Sequence, residues 1–292
     1  MNIAVSMTGS TLNLISRIAP PLAGRLAFAL FCHPIRRGRV RAAERGVHTQ
    51  AAVGTMQVCG KDVVTYRWGD GADPVLLVHG WQSRGSRYAE LVPRLQALGY
   101  TPITFDAPGH GASRGTSTTI LEYREIIRQL QDQYGVFRAI IANSFGVTCA
   151  FYALNTGTEA EKLVAVSGVC DFGYLPDKFS EELGLRTQTR HDLRRRIEQE
   201  LFPGQTGVWD QFSANHTPTT ISIPILVIHD EDDEMVELEQ AHRIVNAHAP
   251  RARLVVTSRL GHRGILARPQ VVGSALDFIA EHAEVGPVQV LG

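Results

Sequence analysis

The sequence has no net charge, few cysteines and no long apolar run, and each shortage closes off a class of function. Lysine plus arginine number 29 and so do aspartate plus glutamate, so the 292 residues carry a formal charge of zero. Chains that hold nucleic acid or lie on anionic membranes depend on a surplus of positive charge, so no nucleic-acid partner is expected. The four cysteines, Cys32, Cys59, Cys149 and Cys170, have no CxxC spacing. Neither a disulfide framework nor a cysteine zinc site is indicated. Three of them fall in or beside apolar runs, where buried free thiols are common. Repeats and low-complexity tracts are also missing. What remains is an ordinary globular balance, 44% apolar and 20% charged. The length suits one large domain with an insertion or two modest ones.

Residues 1–48 form an opening segment in which Arg17, Pro20, Pro21 and Arg25 interrupt the apolar residues. Residues 22–31 read as a short helix, and their apolar part falls far below the ~20 residues that span a bilayer. A basic cluster, Arg36, Arg37, Arg39 and Arg41, comes after it. A secretory signal has its charge before the apolar core, and Phe31 ahead of Cys32 is too bulky for a lipoprotein cleavage site. A cytoplasmic location is therefore expected, with the helix packed on the main domain. The alternative is an interfacial helix with a basic edge, making weak contact with a membrane surface.

The spacing then predicts a hairpin of strands 55–59 and 63–68 around a Gly60-Lys61-Asp62 turn. Strand 75–78 is apolar throughout, as a strand covered on both faces is. Helix 88–98, strand 101–105, helix 121–134, strand 137–142, helix 145–154 and strand 163–167 follow. This alternation means an α/β fold with a doubly wound, mostly parallel sheet. It breaks over 171–221, where Thr189-Arg190-His191-Asp192 reads as a capping box opening a helix to about residue 201. Strand 225–228, helix 238–247, strand 254–257 and a closing helix 269–284 complete the pattern. The expected organisation is an N-terminal helical extension (1–48), a core (49–170 and 222–292) and a small helical cap insertion (171–221).

One stretch organises this pattern, Ala142-Asn143-Ser144-Phe145-Gly146. A buried strand stops at Asn143 and a helix starts at Phe145, so Ser144 sits on a strained corner with its side chain clear of the sheet. Small residues two positions either side, Ala142 and Gly146, let strand and helix approach. In a parallel sheet, functional groups gather past the carboxyl ends of strands. Past strand 225–228 lies His229-Asp230-Glu231-Asp232-Asp233-Glu234, and past strand 254–257 lies Ser258-Arg259-Leu260-Gly261-His262. A serine hydroxyl becomes a nucleophile when an imidazole takes its proton and a carboxylate holds that imidazole's tautomer. Serine, acid, histidine is the chain order of that arrangement on this kind of sheet. The backbone N–H groups of Phe145 and Trp81 are placed to hold an oxyanion.

With these pieces together the sequence resembles the α/β-hydrolase family. The resemblance rests on Val78-His79-Gly80-Trp81, on Asp106-Ala107-Pro108-Gly109-His110-Gly111-Ala112-Ser113, on the Ser144 elbow, on the loop from His229 with Val236 after it, and on Gly261-His262. It covers about three quarters of the chain. More narrowly, the sequence is similar to bacterial hydrolases with an N-terminal helical extension and a His-Gly-Trp loop. The resemblance implies Ser144 as nucleophile, His262 as base and Asp233 as acid, with Asp230, Asp232 or Asp171 as alternatives for the acid. Asp230 stands where the family commonly has glycine. An aspartate at the elbow would mark the dehalogenase and epoxide-hydrolase branches, and Ser144 argues against them. The implied activity is cofactor-free hydrolysis of a small carboxylic ester or thioester. A non-catalytic binding protein on the same fold and a membrane-associated lipid hydrolase are the alternatives. His79 and His110 belong to loop motifs where histidine holds geometry, so no metal site is expected. Arg190, Arg194, Arg195 and Arg196 read as a solvated helix face rather than as a receptor for an anionic substrate.

Overall fold

The computed structural model describes residues 3–281. Its centre is an eight-stranded sheet in the order β1-β2-β4-β3-β5-β6-β7-β8. The strands are β1 (Ala52–Val58), β2 (Lys61–Arg67), β3 (Pro74–Val78), β4 (Thr101–Asp106), β5 (Ala139–Asn143), β6 (Leu163–Val166), β7 (Ile225–Asp230) and β8 (Ala252–Thr257). From β4 to β8 every neighbouring pair is parallel, and β1 and β2 add an antiparallel edge. The doubly wound, mostly parallel sheet expected from the alternation is present.

The helices are α1 (Ile3–Ile18), α2 (Pro20–Cys32), α3 (Ala42–His48), α4 (Val92–Ala97), α5 (Ile120–Tyr134) and α6 (Phe145–Asn155), followed by α7 (Tyr174–Glu182), α8 (Thr187–Arg196), α9 (Val208–Gln211), α10 (Leu238–Ala247), α11 (Gly261–Gly264) and α12 (Pro269–Ala280). Leu76, Ile103, Ile140 and Ala142 turn to the layer of α5 and α6, while Val75, Leu77, Ile141 and Val164 turn to that of α4 and α12. Successive strand residues point to opposite faces, so a strand apolar at every position is what two covering layers demand. Each fully buried leucine or isoleucine here contributes about 1.5–3 kcal/mol. Among the described residues, no helix is long and apolar enough to cross a membrane.

Several local expectations are corrected. The hairpin turns at Cys59-Gly60, with φ of 49° and 77°, and Val58 pairs with Lys61. Two positive φ values give the turn whose twist matches the strands, so Lys61 and Asp62 belong to β2. In place of a helix 88–98 there are a 3₁₀ turn, Gly85–Tyr88, and the shorter α4, because Pro93 opens a new helix and the Tyr88 hydroxyl is tied to the Val78 carbonyl at 2.7 Å. Thr189 is not a cap. It is buried within α8, whose Asp192 accepts from Arg196 Nε at 2.9 Å. A capping box does open α5, where Thr119 and Glu122 bond each other's backbone amides. The opening segment holds three helices rather than one. α1 is rich in poor helix formers and is held by packing, since Asn13 bonds the Gly184 carbonyl at 2.8 Å and the Arg186 N–H at 3.0 Å. The closing helix ends at Ala280, and residues 282–284 lie outside the described residues, as does the end of the core expected to reach 292.

Between β6 and β7 there is no strand, and α7, α8 and α9 fill the interval. α2 lies on α8 so closely that a Cβ on Gly24 would fall 1.6 Å from the Asp192 carboxylate.

Candidate active site

Ser144 joins β5 to α6 with no loop between them, at φ 56° and ψ −125°. An L-residue pays of order 1–3 kcal/mol to sit there, and its surroundings must hold it. Its own amide donates to the Val166 carbonyl at 2.9 Å, and the Asn143 side-chain amide donates to the same carbonyl at 3.1 Å. A Cβ on Gly146 would lie 2.5 Å from the Val78 oxygen and 2.7 Å from the His79 oxygen. Only glycine lets α6 start this close to β3. On the other flank Ala142 is fully buried.

The loop after β3 runs directly past the serine. A Cβ on Gly80 would lie 2.8 Å from the Ser144 Cβ and 3.3 Å from its Oγ. Trp81 follows, and among the described residues the amides of Trp81 and Phe145 donate to no backbone acceptor. Phe145 is the first residue of α6, where amides have no acceptor inside the helix.

Two buried histidines pin this loop to the one after β4. His79 Nε2 accepts the Ala107 N–H at 3.0 Å, and its Nδ1 donates to the Gly80 carbonyl at 2.8 Å. His110 Nε2 accepts the Gln82 N–H at 3.0 Å, and its Nδ1 donates to the Pro108 carbonyl at 3.1 Å. A ring nitrogen that accepts is unprotonated, so both imidazoles are neutral. Burial favours that form. It lowers the His79 pKa, and together with the His79 ring it lowers that of His110 to about 3. Both nitrogens of both rings are engaged by the loop backbone.

His262 stands on α11, just past β8. Its Nε2 is 3.0 Å from Ser144 Oγ and its Nδ1 is 2.8 Å from Asp233 Oδ2. Asp233 Oδ1 accepts the amides of Met235 and Val236, each at 2.9 Å. Burial raises the Asp233 pKa, but the hydrogen bond and charge of His262 and the two backbone donors outweigh it and hold the carboxyl below its ordinary value. His229 donates through Nε2 to the Val236 carbonyl at 2.8 Å, closing the same turn.

The other carboxylates face elsewhere. Asp230 accepts from the Thr257 hydroxyl at 2.8 Å and from the amides of Leu260 and Gly261. Asp232 accepts the Arg259 amide at 2.8 Å, and Asp171 pairs with Arg243 at 3.2 Å. Asp230 and Asp232 therefore brace the backbone that carries His262, a role the sequence did not suggest. Another brace escaped the sequence, the buried Asp106, which accepts from Tyr66, Arg84 and the Gly85 and Ala112 amides. Its full burial beside Arg84, 22 residues away, leaves no mark in local pattern. The arginines of α8 are engaged within the helical segment. Arg194 pairs with Asp177 and lies over the Trp209 ring at 4.1 Å, Arg195 and Arg196 pair with Asp192, and Arg190 donates to the Leu185 carbonyl.

A model of the Alpha/beta hydrolase family matches residues 75–275. No curated protein matches the sequence. Among solved structures, an esterase of Pyrococcus furiosus is similar at 20% identity over 85% of this chain and 96% of its own, with a TM-score of 0.63. An esterase from Exiguobacterium antarcticum is similar at 17% identity over 79% of this chain and 100% of its own, with a TM-score of 0.60. The mouse alpha/beta hydrolase domain-containing protein 10 is similar at 16% identity over 78% and 97%, with a TM-score of 0.61. At such identities the likeness is one of fold.

Proposed function

The chain belongs to the alpha/beta hydrolase family, and from that premise we propose that it is a serine hydrolase cleaving a small carboxylic ester or thioester through an acyl-enzyme. One observation carries the reading: His262 bridges Ser144 Oγ and Asp233 Oδ2 at 3.0 Å and 2.8 Å, with the serine on a strained elbow.

The chemistry follows from those contacts. Ser144 Oγ attacks the acyl carbon as its proton passes to His262 Nε2. The imidazolium so formed is stabilised by Asp233, whose other oxygen is held by two amides and cannot swing away. The carbonyl oxygen becomes an oxyanion between the Phe145 and Trp81 N–H groups, donors fixed before the reaction and costing no reorganisation during it. Collapse breaks the bond to the leaving oxygen or sulfur, which departs with the proton from His262. Water then gives its proton to His262 and attacks the acyl carbon, releasing the acid and restoring Ser144.

The esterase neighbours make ester the first substrate class to assay. Helices α7–α9 act as a cap in this reading, because the Tyr174 hydroxyl on α7 bonds the Met235 carbonyl at 3.2 Å, two residues from Asp233.

A fluorophosphonate probe tests the proposal. It is expected to label the wild-type protein and not a folded Ser144→Ala variant. Equal labelling of both, or none of a folded wild type, overturns it.

A further inference from the structure

The formal charge of zero hides an uneven distribution. The first 43 residues carry six arginines and no acidic residue. They also carry most of the exposed large apolar side chains among the described residues. Of the nine large apolar side chains most exposed among the described residues, six are Met7, Leu14, Ile18, Leu22, Leu26 and Ile35. Ile18 is 82% exposed and Ile35 is 72% exposed.

The structure explains how α1 and α2 can be fixed and yet leave this surface bare. Their small residues face the helices between β6 and β7. A Cβ on Gly9 would lie 1.9 Å from the Leu183 carbonyl oxygen, Gly24 abuts Asp192, and Leu12, Ala23 and Ala27 are buried. Between the two helices lies an apolar groove of about 540 Å³, with Met7, Ile15, Leu26, Leu30 and Ile35 among its walls. Surface of this kind is uncommon on a protein that meets only water.

Charge decides between occupants. Arg17 adjoins Ile18, Arg25 adjoins Leu26 and Arg36 adjoins Ile35 in the chain. All three arginines are exposed, and no described acidic side chain pairs with them. A second copy docked by the same face would bring its own arginines against these, and like charges facing each other across an apolar contact repel. A sheet of anionic headgroups supplies the opposite charge at the rim and hydrocarbon at the centre. The arginine stems lie along apolar surface while their heads reach the phosphates.

We propose that the outer face of the α1–α2 hairpin docks on the surface of an anionic lipid bilayer. The contact is peripheral, since neither helix is long and apolar enough to cross one. It holds the helices between β6 and β7 near the interface through the Gly9 and Gly24 contacts.

The test uses the full chain and sedimentation with phosphatidylglycerol or phosphatidylcholine vesicles. Wild type is expected to pellet with phosphatidylglycerol and to be released by salt, with phosphatidylcholine holding it at least about tenfold more weakly. Ile18→Asp and the pair Arg17→Glu with Arg25→Glu, all at exposed positions, are each expected to weaken the anionic binding about tenfold. Val136→Asp, on an exposed site outside this segment, leaves it unchanged. Failure to bind phosphatidylglycerol, or equal binding to both vesicles, overturns the proposal. So does a dimer in solution that Ile18→Asp converts to monomer, which assigns the face to a second copy. Hydrolytic activity plays no part in the readout.

Discussion

Asp230 accepts the backbone N–H of Gly261 at 3.0 Å, and Gly261 immediately precedes His262. The carboxylate that touches the imidazole and the one that sets its backbone are thus three residues apart and do different work. Asp233→Asn keeps the shape but presents the wrong partner to Nδ1, and kcat on an activated ester is expected to fall by about 10⁴. Asp230→Ala strips acceptors from Leu260, Gly261 and Thr257. Each orphaned donor costs about 1–3 kcal/mol, so this variant is expected to lose more stability than Asp233→Asn and less activity. Thermal melts beside steady-state kinetics give the ranking, and a reversed order would make Asp230 the acid.

The buried histidines predict an acid-sensitive fold. Burial lowers the His110 pKa from 6.5 to about 3, so between those values the unfolded chain binds a proton the folded chain refuses. Stability therefore falls as pH is lowered through this window, by up to ~1.4 kcal/mol per pH unit from this group. Asp233, with its lowered pKa, adds its loss further down, as pH falls past its unfolded value of 3.8. His110→Gln can still accept the Gln82 amide but does not titrate. Urea unfolding between pH 6.5 and 4 is expected to show a shallower slope for it than for wild type, and parallel slopes would remove His110 as the cause.

Much of this was legible because it is written in periodicity and spacing. Strand β3 is apolar at every position and β5 at all but its last residue, Asn143, and the Ala142 to Gly146 elbow is local chemistry. What was not legible depends on contacts distant in sequence. Five acidic residues run from Asp230 to Glu234, and spacing says that a carboxylate is at hand but not which one turns to a ring and which to the backbone. α1 has few good helix formers, so its helicity comes from Leu183, Gly184 and Arg186, which lie about 170 residues away. The turn lies at Cys59-Gly60 rather than Gly60-Lys61-Asp62, because Gly60 serves either register until the pairing of Val58 with Lys61 is known.

Gly80 couples the loop after β3 to the serine elbow. A methyl added there meets the Ser144 Cβ at 2.8 Å and the Asn143 oxygen at 2.9 Å. The loop or the elbow must give by some tenths of an ångström, which disturbs Ser144 and the Trp81 amide together. Gly80→Ala is expected to lower kcat/KM by about 10² while costing about 1–3 kcal/mol in stability. Activity near wild type would mean that the loop adapts without moving the serine.

The strain at Ser144 can be weighed directly. At φ 56° and ψ −125° alanine is as uncomfortable as serine, whereas glycine enters the region freely. Ser144→Ala and Ser144→Gly both remove the hydroxyl and are both expected to be inactive, so any difference between them reports the backbone. Relief of about 1–3 kcal/mol of strain is partly offset by the ~0.4–1 kcal/mol that glycine's freer unfolded chain costs. The net gain of about 1 kcal/mol corresponds to a melting temperature about 2–4 °C higher for glycine than for alanine in a domain of this size. Scanning calorimetry of the two variants measures it. If they melt together, the corner stores no strain, and the position of Ser144 owes nothing to the surrounding fold's holding it against its own preference.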